Sequence, residues 1–166
     1  SLYYAYSKDG PWYEIDTVER ASSAFIEVNF SKIFSCNDYL NGPTIYYKFN
    51  ATDGWGFTDE TEIKNLTLEK DDVGFIFVDG VGIDVDREGN VYGLFAVKVN
   101  DTDYGQLVGS GVSVKFYFTY DGISYDAGHL NSTTNGYVSY LFDPDCSYST
   151  GSQFWYVATT GNACYK

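Results

Sequence analysis

Residues 112–120 read Val-Ser-Val-Lys-Phe-Tyr-Phe-Thr-Tyr, and this stretch decides the fold class. Successive side chains of an extended chain point to opposite faces, so Val114, Phe116 and Phe118 share one face while Lys115 and Tyr117 share the other. β-branched and aromatic residues are the types that fit a pleated, half-buried surface. The pattern therefore predicts a strand with one face in a hydrophobic core.

Similar runs precede and follow that stretch. They cover residues 2–6, 25–30, 44–49, 63–68, 74–78, 81–85, 91–100, 137–142 and 154–159. Gly next to Asp or Asn separates many of them, as at Asp53-Gly54, Asp121-Gly122 and Asn135-Gly136, and these pairs are typical of turns. Only residues 16–23 suggest a helical turn. Many short strands at this spacing predict an all-β protein, built as a sandwich or barrel.

The distribution of strands suggests a domain boundary near residues 86–90, because each half then carries four or more predicted strands. We expect an N-terminal strand and linker over residues 1–20 and two small β-sandwiches in tandem over residues 21–88 and 89–166. One larger sandwich is the alternative organisation.

Five Asn-X-Ser/Thr triplets occur among only ten asparagines. Ser and Thr make up about one residue in six, so ten asparagines would give fewer than two such triplets by chance. The triplet is an N-glycan acceptor when a chain enters a secretory compartment and the asparagine lies on the surface. We therefore expect an extracellular or cell-surface glycoprotein with glycans on Asn29, Asn50, Asn65, Asn100 and Asn131.

The net charge of −13 bears on partners. Nucleic acids and anionic membranes attract basic surfaces, and only ten Lys and Arg residues are present. No apolar run approaches the roughly 20 residues that span a bilayer as a helix. We expect no nucleic-acid partner and no membrane insertion.

The three cysteines are Cys36, Cys146 and Cys164. They form no Cys-X-X-Cys motif of the kind that binds zinc. Cys146 and Cys164 bracket one strand-and-turn segment, so we predict a disulfide between them, worth roughly 3 kcal/mol by the loop-entropy model. Cys36 is then the odd cysteine. It is either buried and inert, or paired with another chain or with a segment outside this sequence.

Evidence for chemistry is weak throughout the chain. His129 is the only histidine. It lies in a turn-like stretch, where we expect a solvated side chain rather than a member of a catalytic triad. Acidic pairs at strand ends, Asp84 with Asp86 and Asp101 with Asp103, are weak calcium candidates. We predict no catalytic residues, no enzyme activity, and no metal or cofactor apart from that calcium candidate and the N-linked glycans.

Two aromatic features suggest binding surfaces. Trp12, Trp55 and Trp155 either belong to the core or stack on sugar rings. The N-terminal run of Leu2, Tyr3, Tyr4, Ala5 and Tyr6 is an uncharged strand pattern at the end of the chain. Such a strand either folds onto its own domain or adds to a sheet edge of the next subunit.

The C-terminal half, over residues 91–166, resembles a known family. Residues 109–116 read Gly-Ser-Gly-Val-Ser-Val-Lys-Phe, Asp121-Gly122 follows, and residues 134–140 read Thr-Asn-Gly-Tyr-Val-Ser-Tyr. This order is similar to the bacterial-type immunoglobulin-like repeats of surface adhesins, invasins and extracellular filament proteins. The resemblance implies immunoglobulin-like sandwiches that act as rods and spacers without catalytic residues. It also supports the Cys146–Cys164 pairing, since some of these repeats join their last strands in this way.

Together these features predict a structural subunit of an extracellular, N-glycosylated filament or surface assembly. Its partners would be copies of itself, joined by head-to-tail contacts. The alternative is an adhesin or a carbohydrate-binding module of a cell-surface protein.

Overall fold

The computed structural model describes residues 1–21, 26–89 and 91–166. The chain divides into two compact units, Ser1–Lys70 and Asp71–Lys166. Apart from one short helix, the regular structure of the described residues is antiparallel β-strand. The all-β prediction is therefore confirmed.

The first unit contains five strands and the helix. They are β1 (Leu2–Ala5), β2 (Tyr13–Asp16), α1 (Cys36–Asn41), β3 (Thr44–Thr52), β4 (Thr58–Glu60) and β5 (Lys64–Thr67). The strand order is β2-β1-β3-β4, and β5 also pairs with β3. β3 is the longest strand of this unit and bonds to three others, so it organises the sheet.

Helix α1 begins with a capping box. The Ser35 backbone N–H donates to Asp38 Oδ2 at 2.7 Å, and the Asp38 N–H donates to Ser35 Oγ at 3.4 Å. These bonds satisfy backbone donors that have no partner within the helix. Gly42, at a φ of 146°, and Pro43 end the helix. The helical turn predicted at residues 16–23 is wrong for residues 16–21, while residues 22–23 lie outside the described residues.

The second unit contains seven strands in two antiparallel sheets. The strands are β6 (Val73–Asp79), β7 (Gly93–Asp101), β8 (Gln106–Leu107), β9 (Ser113–Phe118), β10 (His129–Ser132), β11 (Tyr137–Phe142) and β12 (Trp155–Thr159). One sheet has the order β11-β7-β6, with β8 also on β7, and the other has the order β10-β9-β12.

These two sheets pack face to face around one core. Val97 and Val99 of β7 and Val114 and Phe116 of β9 have no exposed surface. The Phe118 ring of β9 packs edge to face on Phe95 at 4.8 Å between ring centroids. Apolar faces from both sheets thus interdigitate as in a β-sandwich. The strand predicted from residues 112–120 is confirmed at the centre of this sandwich.

Several details differ from the sequence prediction. The units divide after Lys70, earlier than residue 88, because β6 pairs along its length with β7 and so belongs to the second unit. Residues 26–30 and 81–85 form no strand, and Phe25 lies outside the described residues. Strands β2, β4, β8 and β10 were not predicted. They are two to four residues long and largely exposed, so they lack an alternating apolar face.

No helix among the described residues is long and apolar enough to cross a membrane.

Candidate functional site

Within the described chain, each sheet of the second unit has two edge strands, β11 and β6 in one sheet and β10 and β12 in the other, and the β6 and β12 edges meet at the contact of Phe77 with Trp155. β6 bonds only to β7, and β12 bonds only to β9. At the two ends of β12, Thr119 N donates to Phe154 O at 2.9 Å and Thr160 N donates to Ser113 O at 3.1 Å. The even-numbered residues between Phe154 and Thr160 therefore direct their backbone groups toward β9. In an antiparallel pair, successive residues of a strand direct their backbone groups alternately toward the partner strand and away from it. Trp155, Val157 and Thr159 therefore direct their backbone N–H and C=O groups toward the open edge.

Both edges lie on the same side of the sandwich. The Phe77 ring of β6 meets the Trp155 ring of β12 edge to face, with 4.8 Å between centroids. The Trp155 indole N–H donates to the Gly80 carbonyl at 3.0 Å. A side chain at Gly80 would come within 2.4 Å of the Phe95 ring, and its φ is 94°. Glycine is therefore required at this position, where it presents the carbonyl to Trp155.

An open groove of about 1030 Å³ lies along this side. The rings of Phe95, Phe118 and Phe142 line it together with residues 80–87 on one rim and 148–155 on the other. The Arg87 guanidinium donates to the Tyr148 carbonyl at 3.0 Å and connects the two rims. The groove is thus an aromatic cleft between two sheet edges. The bond between Arg87 and Tyr148 fixes the distance between its rims at that position.

The β6 edge exposes apolar side chains. Ile76, Phe77 and Val78 are consecutive, and each is about half exposed, at 52%, 51% and 52%. Natural edge strands are usually protected by charged residues, prolines or bulges, because unpaired edges associate with other chains. β6 has no Lys, Arg or Pro, and its only charge is the terminal Asp79. A register irregularity between Phe77 and Asp79 interrupts its pairing with β7, so the regular part of the strand ends at Phe77.

A buried polar network supports the groove from below. Asp126 is only 9% exposed, and its Oδ1 accepts from the backbone N–H groups of Phe118 at 3.2 Å and Gly128 at 2.9 Å. Its Oδ2 accepts from the Tyr148 hydroxyl at 2.9 Å and from His129 Nε2 at 2.9 Å. Tyr148 lines the groove, so Asp126 fixes part of its wall.

His129 has both ring nitrogens bonded in this network. A carboxylate can only accept, so Nε2 carries the hydrogen, and the Tyr140 hydroxyl bonds to Nδ1 at 2.9 Å. The expectation of a solvated turn side chain is therefore wrong. Sequence reasoning missed the network because its members come from four separate segments.

Burial raises the pKa of Tyr148, with the Asp126 hydrogen bond as the second cause. Burial and the Asp126 charge also raise the pKa of Tyr140.

The glycosylation candidates all lie outside the core. Asn29, Asn65 and Asn131 are exposed, while Asn50 and Asn100 are half-buried. The Asn131 amide donates to the Ser139 carbonyl at 2.7 Å, and the Asn100 amide donates to the Asp101 carbonyl at 3.1 Å. No packing in a core therefore opposes a glycan at any of the five, which is the geometry that the glycosylation prediction needs.

The predicted Cys146–Cys164 disulfide is wrong. Cys36 and Cys164 are both disulfide-bonded, whereas Cys146 is an exposed free thiol. The neighbourhood of Cys146 explains this, because Glu88 N donates to the Pro144 carbonyl at 3.1 Å and holds that turn beside Glu88. Cys164 instead lies beside Asp71, whose N–H donates to its carbonyl at 2.8 Å. A hydrogen bond to Glu88, followed by burial, raises the pKa of the Cys146 thiol.

The calcium candidates do not meet in one cluster. Asp101 is 5% exposed, and its Oδ1 accepts from the N–H groups of Asp103 and Tyr104, both at 3.0 Å, so it stabilises a turn. Asp84 and Asp86 are exposed on the loop after β6. Within the described ranges, no group of three or more His, Cys, Asp or Glu residues could hold a metal ion.

The N-terminal segment does not offer a free strand. Leu2–Ala5 forms β1, which is hydrogen-bonded to β2 on one side and to β3 on the other. Leu2 and Ala5 are buried, and the following Tyr6 hydroxyl donates to Asp38 Oδ1 at 2.6 Å. Of the two alternatives for residues Leu2 to Tyr6, the structure shows the strand folded onto its own unit, and it does not pair with a neighbouring subunit because both of its edges are already occupied.

The three tryptophans occupy different environments. Trp155 packs against the core of the second unit, and Trp12 lies under the Lys48 ammonium at 4.8 Å. Trp55 is 89% exposed at the tip of the β3–β4 hairpin, with Phe57 beside it at 75%. Asp53 Oδ1 accepts from the N–H groups of Trp55 and Phe57, both at 2.9 Å, and so shapes the tip.

Comparison with protein-family models, with curated proteins and with solved structures finds no match to this chain.

Proposed function

We propose that this protein is a structural subunit of an extracellular, N-glycosylated filament or surface assembly. Copies of the chain join by head-to-tail contacts. The observation that carries the proposal is the pair of open sheet edges, β6 and β12, on either side of an aromatic groove. An exposed apolar edge can acquire another strand through main-chain hydrogen bonds, and alternate side chains then fill the groove.

The topology of the second unit supports an immunoglobulin-like assignment. In a constant-type immunoglobulin sandwich, strands A, B and E share one sheet, and strands C, F and G share the other. β6, β7 and β11 match A, B and E, and β9 and β12 match C and F, whereas β10 lies beside β9 in the place of strand C′ of the variable type, and no described strand matches D, the fourth strand of the A-B-E sheet. After β12, residues 164–166 run beside Asp71, whose N–H donates to the Cys164 carbonyl at 2.8 Å and whose carbonyl accepts from the Lys166 N–H at 3.0 Å.

The extracellular part of the proposal has independent support. All five asparagines of the Asn-X-Ser/Thr triplets lie outside the core, where an oligosaccharide has room. Two of the three cysteines are disulfide-bonded, and such bonds persist in oxidising compartments.

Self-association of the glycosylated full chain tests the proposal. Sedimentation velocity over a wide concentration range and negative-stain electron microscopy should show concentration-dependent linear assemblies. Phe77→Lys places a charge in the groove and should abolish them, because an unpaired buried charge is costly. Ile76→Lys is the matched control, since it is equally exposed but lies one residue along the alternating strand, on the opposite face. A wild-type chain that stays monomeric at its solubility limit would exclude the proposal.

A second candidate function is an adhesin or carbohydrate-binding module, and the Trp55 hairpin tip favours it. An indole that is 89% exposed offers a flat apolar face of the kind that stacks on sugar rings. Binding to immobilised glycans should then be lost in Trp55→Ala. It should persist in Tyr104→Ala, which removes an exposed ring from a turn of the second unit. Equal binding by both variants would exclude the hairpin tip as the site.

A further inference from the structure

We propose that the oligosaccharide on Asn100 packs against Leu107 and Tyr137 on the outer face of the β11-β7-β6 sheet. This inference rests on the proposed function, because it requires the glycosylation that is part of it, and it identifies a binding surface for one glycan on its own chain. The outer face is the one that turns away from the core of the second unit. The inference is carried by the cross-strand register, which places Asn100 beside exposed apolar side chains.

Asn100 projects from the outer face of β7. Val97 and Val99 have no exposed surface and face the core, so Lys98 and Asn100 face the other way. The Asn100 amide nitrogen donates to the Asp101 carbonyl at 3.1 Å. An amide nitrogen carries two hydrogens, and a glycan replaces one of them. The other hydrogen keeps the bond to Asp101, and this bond fixes the direction in which the sugar leaves the sheet.

Two apolar side chains on neighbouring strands share this face. Leu107 of β8 lies directly opposite Asn100, and Tyr137 of β11 lies directly opposite Lys98. Residues directly opposite each other in an antiparallel pair project on the same side of the sheet. Leu107 is 38% exposed and Tyr137 is 46% exposed. Because Lys98 and Asn100 are two residues apart, this apolar surface extends about 7 Å along the strand from the attachment point.

Tyr137 and Lys98 together have the chemistry of a sugar contact. Lys98 Nζ lies 5.1 Å from the centroid of the Tyr137 ring, so the ring and the ammonium group are adjacent. A pyranose ring combines a face of C–H groups, which packs on apolar and aromatic surface, with hydroxyl groups around its edge. The ammonium group donates hydrogen bonds and accepts none, so it suits the hydroxyl oxygens. The first sugars would therefore cover the apolar surface while their polar groups keep hydrogen-bond partners.

The other side of Asn100 is kept clear by a glycine. Gly74 of β6 lies directly opposite Asn100. A Cβ at Gly74 would come within 3.3 Å of Thr102 Cγ2, and Thr102 is the third residue of the glycosylation triplet. Asn100 thus has a leucine on one side and bare backbone on the other. The first sugar therefore has room at the attachment point and apolar surface next to it.

Asn131 provides the contrasting case within the same unit. It is exposed on β10, and its amide donates to the Ser139 carbonyl at 2.7 Å. Val114, which lies directly opposite it on β9, is fully buried. Asn131 thus has no exposed apolar side chain directly opposite it, and we expect its glycan to extend into solvent.

Thermal unfolding of the full chain tests the assignment. Each variant is secreted with and without an inhibitor of N-glycosylation, and the rise in Tm caused by the glycans is compared between variants, so the cost of the substitution itself cancels. Asn100→Gln should reduce this rise by about 3 °C, as expected for one aromatic contact in a unit of this size. Tyr137→Ser should reduce it equally. Asn131→Gln is the matched control and should leave it within about 1 °C. Equal reductions in Asn100→Gln and Asn131→Gln, or an undiminished rise in Tyr137→Ser, would overturn the inference.

Nuclear Overhauser effects give a direct readout. Contacts between the Tyr137 ring hydrogens and the first sugars should be present in the wild type and absent in Asn100→Gln. A glycosylated Asn100 whose sugars show no such contact would overturn the inference. Self-association that Tyr137→Ser weakens at least about tenfold would also overturn it, by showing that another copy covers this face.

Glycopeptide mapping of the secreted chain separates this inference from the proposed function. A modified Asn100 is required here. An unmodified Asn100 on a chain glycosylated at other triplets would overturn this inference alone. A chain that carries no glycan at any triplet would overturn both.

Discussion

The two units use the same alternating residue pattern and reach different kinds of core. In the second unit, two sheets face each other across a cluster of twelve buried residues. In the first unit, the buried hydrophobic residues within the described chain are Leu2, Ala5 and Ile45, and a single main sheet contains them. The difference shows that alternation specifies which face of a strand is apolar. It does not specify what covers that face.

The first unit covers its aromatic side chains partly with lysines. Lys32 Nζ lies 4.6 Å from the centroid of the Tyr4 ring and 5.2 Å from that of Phe34. Lys48 Nζ lies 4.8 Å from the Trp12 ring and 2.7 Å from Glu60 Oε2. A lysine stem shields apolar surface while its charge stays near water, and each cation–π contact adds about 0.5–1 kcal/mol at exposed sites. These lysine contacts stabilise the apolar face of the first unit less than a second packed sheet stabilises that of the second unit.

The largest expected difference between the units lies in core truncation. Phe118→Ala removes a fully packed ring, which stacks on Phe142 at 3.9 Å, and should lower the free energy of unfolding by about 3–5 kcal/mol. Phe49→Ala removes a ring of the first unit that is already 39% exposed and should cost less than about 1.5 kcal/mol. Urea denaturation measures both values. Equal losses would show that the first unit contains a core as tight as the second.

A smaller difference should separate two glycines of the groove rim. Gly80→Ala combines a φ of 94° with a methyl group 2.4 Å from the Phe95 ring, so we expect a loss of about 2–3 kcal/mol. Gly82→Ala has a φ of 68° but open space around the added methyl, and backbone strain alone should cost about 1–2 kcal/mol. Thermal unfolding ranks the two variants. A greater loss at Gly82 would contradict the close packing of the loop on Phe95.

Alkaline pH should destabilise the second unit through Tyr148. Burial and the bond to Asp126 raise its pKa above the ordinary value of about 10, so the folded state favours the neutral phenol. The contribution to stability is complete below about pH 10 and is lost as the pH rises through the folded-state pKa, because the unfolded chain ionises first. Stability measured by urea at several alkaline pH values should fall less steeply in Tyr148→Phe. An unchanged slope would rule out this contribution.

The smallest expected effect concerns the free cysteine. Cys146→Ser removes an exposed thiol and should change the free energy of unfolding by no more than about 0.5 kcal/mol. Alkylation of the unreduced wild-type chain, followed by mass spectrometry, should label Cys146 alone and leave Cys36 and Cys164 unmodified. Labelling of Cys36 would contradict the disulfide assignment and would restore it as the odd cysteine.

Much of the strand inventory could be predicted where alternation is strict. The predicted runs over residues 137–142 and 154–159 correspond to β11 and β12 within one residue. The positions of the Asn-X-Ser/Thr triplets outside the core followed from their polarity. Residues 26–30 show the limit of this reasoning, because their pattern is as strand-like as that of β9 and yet they form no strand. A strand requires a partner edge at the right place, and local composition does not contain that information.

The candidate groove could not be predicted for the same reason. Phe77, Phe95, Phe118 and Trp155 come from four different strands, and each alone reads as a core residue. Only the packing of two sheets places them around one open side. His129 and Asp126 illustrate the same point for polar residues, since their bonds to Tyr140 and Tyr148 cross between segments that the sequence keeps apart.

The sequence by itself determined that the chain is all-β, which face of each regular strand is apolar, and which asparagines are candidates for sugars. These properties depend on residue type and on a spacing of two, and both are local. The tertiary structure decided the partner of each strand edge, the pairing state of each cysteine and the existence of the groove. Those depend on distances between segments far apart in the chain, and such distances are set by how the whole hydrophobic surface is buried at once.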